Sequence, residues 1–113
     1  MSSAAERLAV IQDNYNNALS NEPHDLAKAQ TAADVTAIQA NLANARSAYY
    51  SAIAAQLTAG GADVENAFHA ARAARDAVAE ARAESAALAT LLQTLTGATH
   101  AATSLLELAK ESK

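Results

Sequence analysis

The chain has 113 residues, 51% of them hydrophobic, which is enough for one domain, residues 1–113, with a core of its own. Its formal net charge is −4, and its eight Lys and Arg residues are dispersed. A nucleic-acid-binding surface needs clustered Lys and Arg, so the composition argues against a nucleic-acid partner. The chain has no cysteine, which excludes disulfides and thiolate metal sites.

Alanine dominates the composition, with 34 residues, whereas there are only three glycines and one proline. Alanine favours the helix most strongly, and only glycine and proline strongly resist it. The sequence therefore predicts an all-α protein without strands and with a helix content above about 75%.

The first helix is expected at residues 3–20. Ser3 and Glu6 are spaced as a capping box, in which each side chain accepts a hydrogen bond from a free backbone amide. Pro23 suits the first position of a second helix, residues 23–58. Thr31 and Asp34 form another possible capping box. A break between residues 30 and 31 therefore remains an alternative to one long helix.

Gly60–Gly61 is the clearest turn signal, because glycine accepts the backbone conformations that end a helix. A third helix is expected at residues 62–96. Gly97 then predicts a break, and Thr99 can cap a last helix at residues 99–111. The apolar spacing Leu92, Leu95, Thr99 continues through Gly97, so a kinked continuous helix is the alternative.

The two central helices carry apolar and small residues at alternating steps of three and four, the period of a helix-packing seam. We therefore expect them to fold back on each other at Gly60–Gly61 as a hairpin, with the shorter first and last helices packed on it in an antiparallel bundle. Small seam residues such as Ala71 and Ala74 allow close helix approach.

The stretch from Val35 to Thr58 contains only one charged residue, Arg46. A surface helix normally has a charged outer face, so this one is expected to be covered on more than one side. The hairpin tip carries bulky apolar residues that two helices alone cannot bury. The candidate interface residues are Tyr49, Tyr50, Ile53, Leu57 and Phe68. The alternative is that the first and last helices reach this tip and cover the patch.

No motif for catalysis, cofactor binding or metal binding is found. Glu65 and His69 stand one helical turn apart, but two ligands do not make a metal site. Neither Ser47 nor Ser51 has a His and an acid at a recognisable spacing, so a nucleophile is not supported. We expect no enzyme, no cofactor and no small-molecule ligand.

The length and hairpin plan resemble small secreted helical hairpins with a Trp-x-Gly turn, although Thr58–Ala62 contains no tryptophan. The alanine-rich composition resembles that of the granule-coating phasins. The primary prediction is a helical interaction or scaffold protein that forms a homodimer. An amphipathic surface-coating protein or a small secreted effector is the alternative. The N-terminus has no basic region leading into an apolar stretch, so no standard signal peptide is expected. No apolar run in the sequence is long enough to predict a membrane span. The default location is cytoplasmic, and secretion without a leader would leave the same sequence.

Overall fold

Helices make up 83% of the residues that the computed structural model describes, residues 1–110, and no strand occurs among them. The expected all-α class is therefore confirmed. The first helix, α1, is Ala4–Ser20. Its predicted capping box is present, because the Glu6 amide donates to Ser3 Oγ at 3.1 Å and the Ser3 amide donates to Glu6 Oε1 at 2.9 Å.

The predicted helix at residues 23–58 is divided in two. Helix α2 is Glu22–Lys28 and helix α3 is Ala32–Ala54. Thr31 caps α3 by accepting a hydrogen bond from the Asp34 amide at 3.1 Å. The break that the sequence allowed as an alternative is therefore observed. A break exposes free backbone amides at the start of α3, and the Thr31 side chain satisfies one of them, which lowers the cost of the break.

Helix α4 is Ala62–Ala83 and helix α5 is Leu88–Ala109. The predicted start of the third helix at residue 62 is confirmed, but its predicted end at residue 96 and the predicted start of the last helix at residue 99 are wrong. The end predicted at residue 111 lies outside the described residues. Gly97 is inside α5, where it interrupts nothing. One mid-helix glycine costs only about 1 kcal/mol relative to alanine, which tertiary packing can offset.

The observed break lies at Ser85, which has a φ of 53°. The Ser85 amide donates to Arg82 O and the Ala86 amide donates to Ala81 O, at 3.1 and 2.9 Å. These two bonds form a Schellman motif, which ends a helix with one left-handed residue. Glycine usually takes this position, and the sequence signal is missing because serine occupies it.

Helix pairing differs from the predicted hairpin. Helix α4 packs most extensively on α5, while α3 packs on α1 and α5. Contacts between α1 and α4 close a four-helix ring, and α1 also contacts α5 across it. Helices α3 and α4, which flank Gly60–Gly61, are not among the packed pairs. The last helix is not short either, since α5 has 22 residues and is a full member of a bundle measuring 44 × 24 × 18 Å.

A buried arginine explains how the chain crosses the bundle between α3 and α4. Arg7 is 3% exposed, and its Nη1 donates to the carbonyl oxygens of Leu57 at 2.8 Å and Ala59 at 2.7 Å. Its Nη2 donates to Glu65 Oε2 at 2.9 Å. The guanidinium thereby satisfies the carbonyls of Leu57 and Ala59, which lie in the segment between α3 and α4. This non-helical segment separates the start of α4 from the end of α3.

Glu65 is held on both sides. Ser2 donates to it from its amide at 2.8 Å and from its hydroxyl at 2.7 Å, and Arg7 donates from Nη2. These hydrogen bonds, those from Ser2 first, lower the pKa of Glu65 from 4.5 to about 2. The carboxylate therefore stabilises the fold fully above pH 4.5, and this contribution is lost as the pH falls towards 2.

Replacing Ala71 should test the packing of α4. Ala71 is 4% exposed and lies in the main core cluster with Phe68. Ala71→Leu should overpack this core and lower the free energy of unfolding by about 1–3 kcal/mol. The control is Ala70→Leu, one residue away on the exposed side of the same helix. Denaturant unfolding that gives equal stability for the two variants would show that Ala71 has room around it.

A second test concerns pH. Glu65→Gln should lower the melting temperature at pH 7, because the buried Arg7 loses its charged partner. The difference from the unmodified protein should shrink as the pH falls from 4.5 towards 2, where Glu65 itself becomes protonated. Melting temperatures across this range measure it, with Glu80→Gln, an exposed residue of the same helix, as control. A difference that stays constant with pH would contradict the assignment.

Candidate interaction surface

The candidate surface lies where α1 and α3 pack side by side. We call it the α1/α3 face and define it by Ala5 and Leu8 of α1 and by Tyr49, Tyr50 and Ile53 of α3. Tyr50 is 56% exposed and Ile53 is 55% exposed, the highest values for bulky apolar side chains inside any described helix. They stand three positions apart on α3, so they point to the same side of the helix.

The structure divides the five predicted interface residues into two groups. Tyr49, Tyr50 and Ile53 lie together on the α1/α3 face. Leu57 and Phe68 are only 3% and 4% exposed and belong to the main core cluster with residues of α1 and α5. The prediction that these two are uncovered is wrong, because α1 and α5 extend to the Gly60 end of the bundle and bury them.

The rings of Tyr15, Tyr49 and Tyr50 contact one another at this face. The Tyr15 ring of α1 stacks on Tyr49 with centroids 5.6 Å apart and meets Tyr50 edge-on at 6.1 Å. Arg46 lies over the Tyr15 ring, 5.8 Å from its centroid, and its Nε is 3.4 Å from the Tyr15 hydroxyl. The guanidinium lowers the pKa of Tyr15. One edge of the Tyr50 ring packs on Tyr15, while the rest of the side chain is exposed to solvent.

An apolar notch opens beside Ile53, where the start of α1 meets the end of α3. Its volume is about 220 Å³. It has no charged residue in its lining, which consists of Ala4, Ala5, Leu8, Ala52, Ile53, Ala55, Gln56, Leu57 and Thr58. Leu57, buried in the core, reaches it from below. The α1/α3 face thus combines a projecting aromatic side chain with an apolar depression about one helical turn away.

Sequence reasoning missed the α1 side of this surface. Leu8 and Tyr15 are seven positions apart, which places them on one apolar stripe of α1. Tyr15 is indeed buried, at 8% exposure, but Leu8 is half-buried at the notch. Periodicity identifies the face of a helix that turns inward and does not reveal where that face reaches the edge of the core.

Two other polar clusters serve the fold. Asp25 of α2 is 1% exposed and receives Arg82 of α4 in a bidentate pair, at 2.7 and 3.0 Å. In the middle of the bundle, Asn14 donates to Thr99 at 3.1 Å and Thr99 donates to Asn41 at 2.7 Å. These contacts join α2 to α4, and α1, α5 and α3 to one another. Every fully buried polar side-chain atom of residues 1–110 has a hydrogen-bond partner.

Within residues 1–110, the side chains that the sequence offered as metal ligands or nucleophiles lie apart from one another or take part in contacts of the fold. Glu65 is engaged by Arg7 and Ser2, so it is not free to join His69. In the described part of the chain, no three His, Asp or Glu side chains converge as metal ligands. Ser47 and Ser51 line a groove of about 420 Å³ between α3 and α5, with His100 and Glu107 also in the lining. His100 and Glu107 are both exposed, so this groove does not desolvate the acid or the base that general acid–base catalysis needs.

None of the helices described is long and apolar enough to cross a membrane. Comparisons of the chain with protein-family models, with curated proteins and with solved structures return no match.

Proposed function

We propose that this chain is a non-enzymatic helical interaction protein that self-associates through the α1/α3 face. The observation that carries the proposal is the exposure of Tyr50 and Ile53 on a helix that has almost no charge. Burying two such side chains in a partner would remove a large apolar area from water, at about 25 cal/mol per Å². Aromatic residues such as tyrosine are also enriched at the centres of protein interfaces.

The distribution of charge supports the α1/α3 face as the site of self-association. Among residues 35–58 only Arg46 is charged, and it is occupied by Tyr15. Helix α4 carries the mixed charges of an ordinary solvated face: Arg72, Arg75, Asp76 and Glu80. Charged residues are depleted at interface cores because their desolvation is costly. The α1/α3 face fits that pattern, whereas α4 does not.

A second copy of the chain is the partner that a neutral face accommodates most simply. A two-fold dimer brings the same surface of both protomers together, so any charge at its centre faces a like charge. The α1/α3 face itself has none. The surface-coating alternative has weaker support, because such proteins carry Lys or Arg alongside bulky apolar residues. Arg46 is the single cation of α3.

Light scattering on purified protein tests the proposal. At high micromolar concentration, the mass should be twice the 11.6 kDa of one chain. Tyr50→Glu combined with Ile53→Glu should produce a monomer, because each unpaired buried charge costs roughly 3–5 kcal/mol. That corresponds to at least about a hundredfold weaker association.

The matched control is Ala70→Glu combined with Ala73→Glu. These residues have the same spacing of three and are exposed on α4. This variant should remain a dimer, and circular dichroism should show equal helix content in both variants. A monomeric unmodified protein, or equal loss of association in both variants, would refute self-association through the α1/α3 face.

A further inference from the structure

The apolar notch lies at the edge of the core, between the start of α1 and the end of α3. It is open to solvent and has a volume of about 220 Å³. Water there would have few polar partners, since Gln56 and Thr58 supply the only polar side chains in the lining. Displacing poorly held water with an apolar group is favourable. The notch is therefore suited to one compact apolar or aromatic side chain.

Tyr50 has the properties of such a group but cannot fill the notch of its own chain. It does not line the notch, and its ring leans on Tyr15 instead. Contacts with the rings of Tyr15 and Tyr49 restrict the Tyr50 ring before any partner arrives. A side chain fixed in advance loses little conformational entropy on binding.

We infer that the notch receives the Tyr50 ring of a second copy of the chain, and that the exchange is reciprocal across a two-fold axis. This inference rests on the proposed self-association and specifies its geometry. An axis passing near Ala52 and Ile53 exchanges residue 50 with residue 55, because the two lie equally far on either side. Ala55 is part of the notch lining, so each Tyr50 would meet the notch of its partner.

Charge and position agree with a second copy as the occupant. The notch lining contains no charged residue, and the Tyr50 ring is neutral. Arg46 lies between six and seven residues from the axis, about 10 Å along the helix at 1.5 Å per residue, so the two guanidinium groups do not meet. The chain has a net charge of −4, yet no carboxylate belongs to the α1/α3 face. Two copies can therefore approach there without like charges in contact.

A double-mutant cycle on the dimer dissociation constant tests this geometry. Ala5→Leu places a larger side chain in the notch and should weaken the dimer at least tenfold. Tyr50→Ala, which removes the ring, should weaken it by a similar factor. Because both changes abolish the same contact, the double variant should be no weaker than either single variant beyond about twofold. Sedimentation equilibrium gives all four constants.

Two matched variants separate the possible causes. Ala9→Leu makes the same change one turn further along α1, at an exposed position outside the notch, and should leave the dimer unchanged. Tyr50→Phe keeps the ring and should retain most of the affinity. Circular dichroism and melting temperatures of Ala5→Leu and Ala9→Leu should agree, which shows that the fold is intact.

The outcomes distinguish the seating of Tyr50 in the notch from self-association through the α1/α3 face. A monomeric unmodified protein overturns both. A dimer that Tyr50→Glu with Ile53→Glu dissociates, but that Ala5→Leu leaves unchanged or makes tighter, overturns only the seating of Tyr50 in the notch. Additive effects in the cycle overturn it as well, because they would place the two residues in separate contacts.

Discussion

The buried Arg7 guanidinium is the contact on which the arrangement of the helices depends. It satisfies the carbonyls of Leu57 and Ala59 and the carboxylate of Glu65, three groups that the helices leave without partners. Without it, the two carbonyl oxygens would lose their side-chain hydrogen-bond donor at the Gly60 end, at a cost of about 1–3 kcal/mol each. With it, and with the Ala59 amide donating to Ala109 O, residues 56–60 can cross the end of the bundle outside any helix. Helix α4 can therefore pack on α5 and α1 instead of folding back on α3.

Polar contacts make the helix arrangement specific in a core that is rich in alanine. Small, similar side chains pack almost equally well in several registers, so apolar burial alone discriminates weakly between them. The pair of Arg82 with Asp25 and the trio of Asn14, Thr99 and Asn41 each have one geometry. Moving one helix by a turn would leave buried polar groups unpaired, which is far more costly than a lost apolar contact.

This arrangement also determines which apolar side chains remain in solvent. Helices α1 and α5 cover Leu57 and Phe68, but no described element covers the outer side of α3 at Tyr50 and Ile53. The same pairing places the start of α1 against the end of α3 and creates the notch next to them. The proposed interface is thus a consequence of helix pairing. It contains residues from helices that are distant in sequence, and its aromatic centre is held by Tyr15 of α1.

The sequence by itself determined the features that depend on local chemistry: the helical class, the caps at Ser3 and Thr31, the start of α4 directly after Gly60–Gly61 and the almost uncharged α3. Alanine content and capping hydrogen bonds act within a few residues, so they can be recognised without a partner. Only the tertiary structure decided which helices are neighbours, because apolar periodicity marks an inward face and does not name what packs on it. It also decided that α5 continues through Gly97 and that α4 ends at Ser85. Each of those local preferences amounts to about 1 kcal/mol, which long-range packing readily overrides.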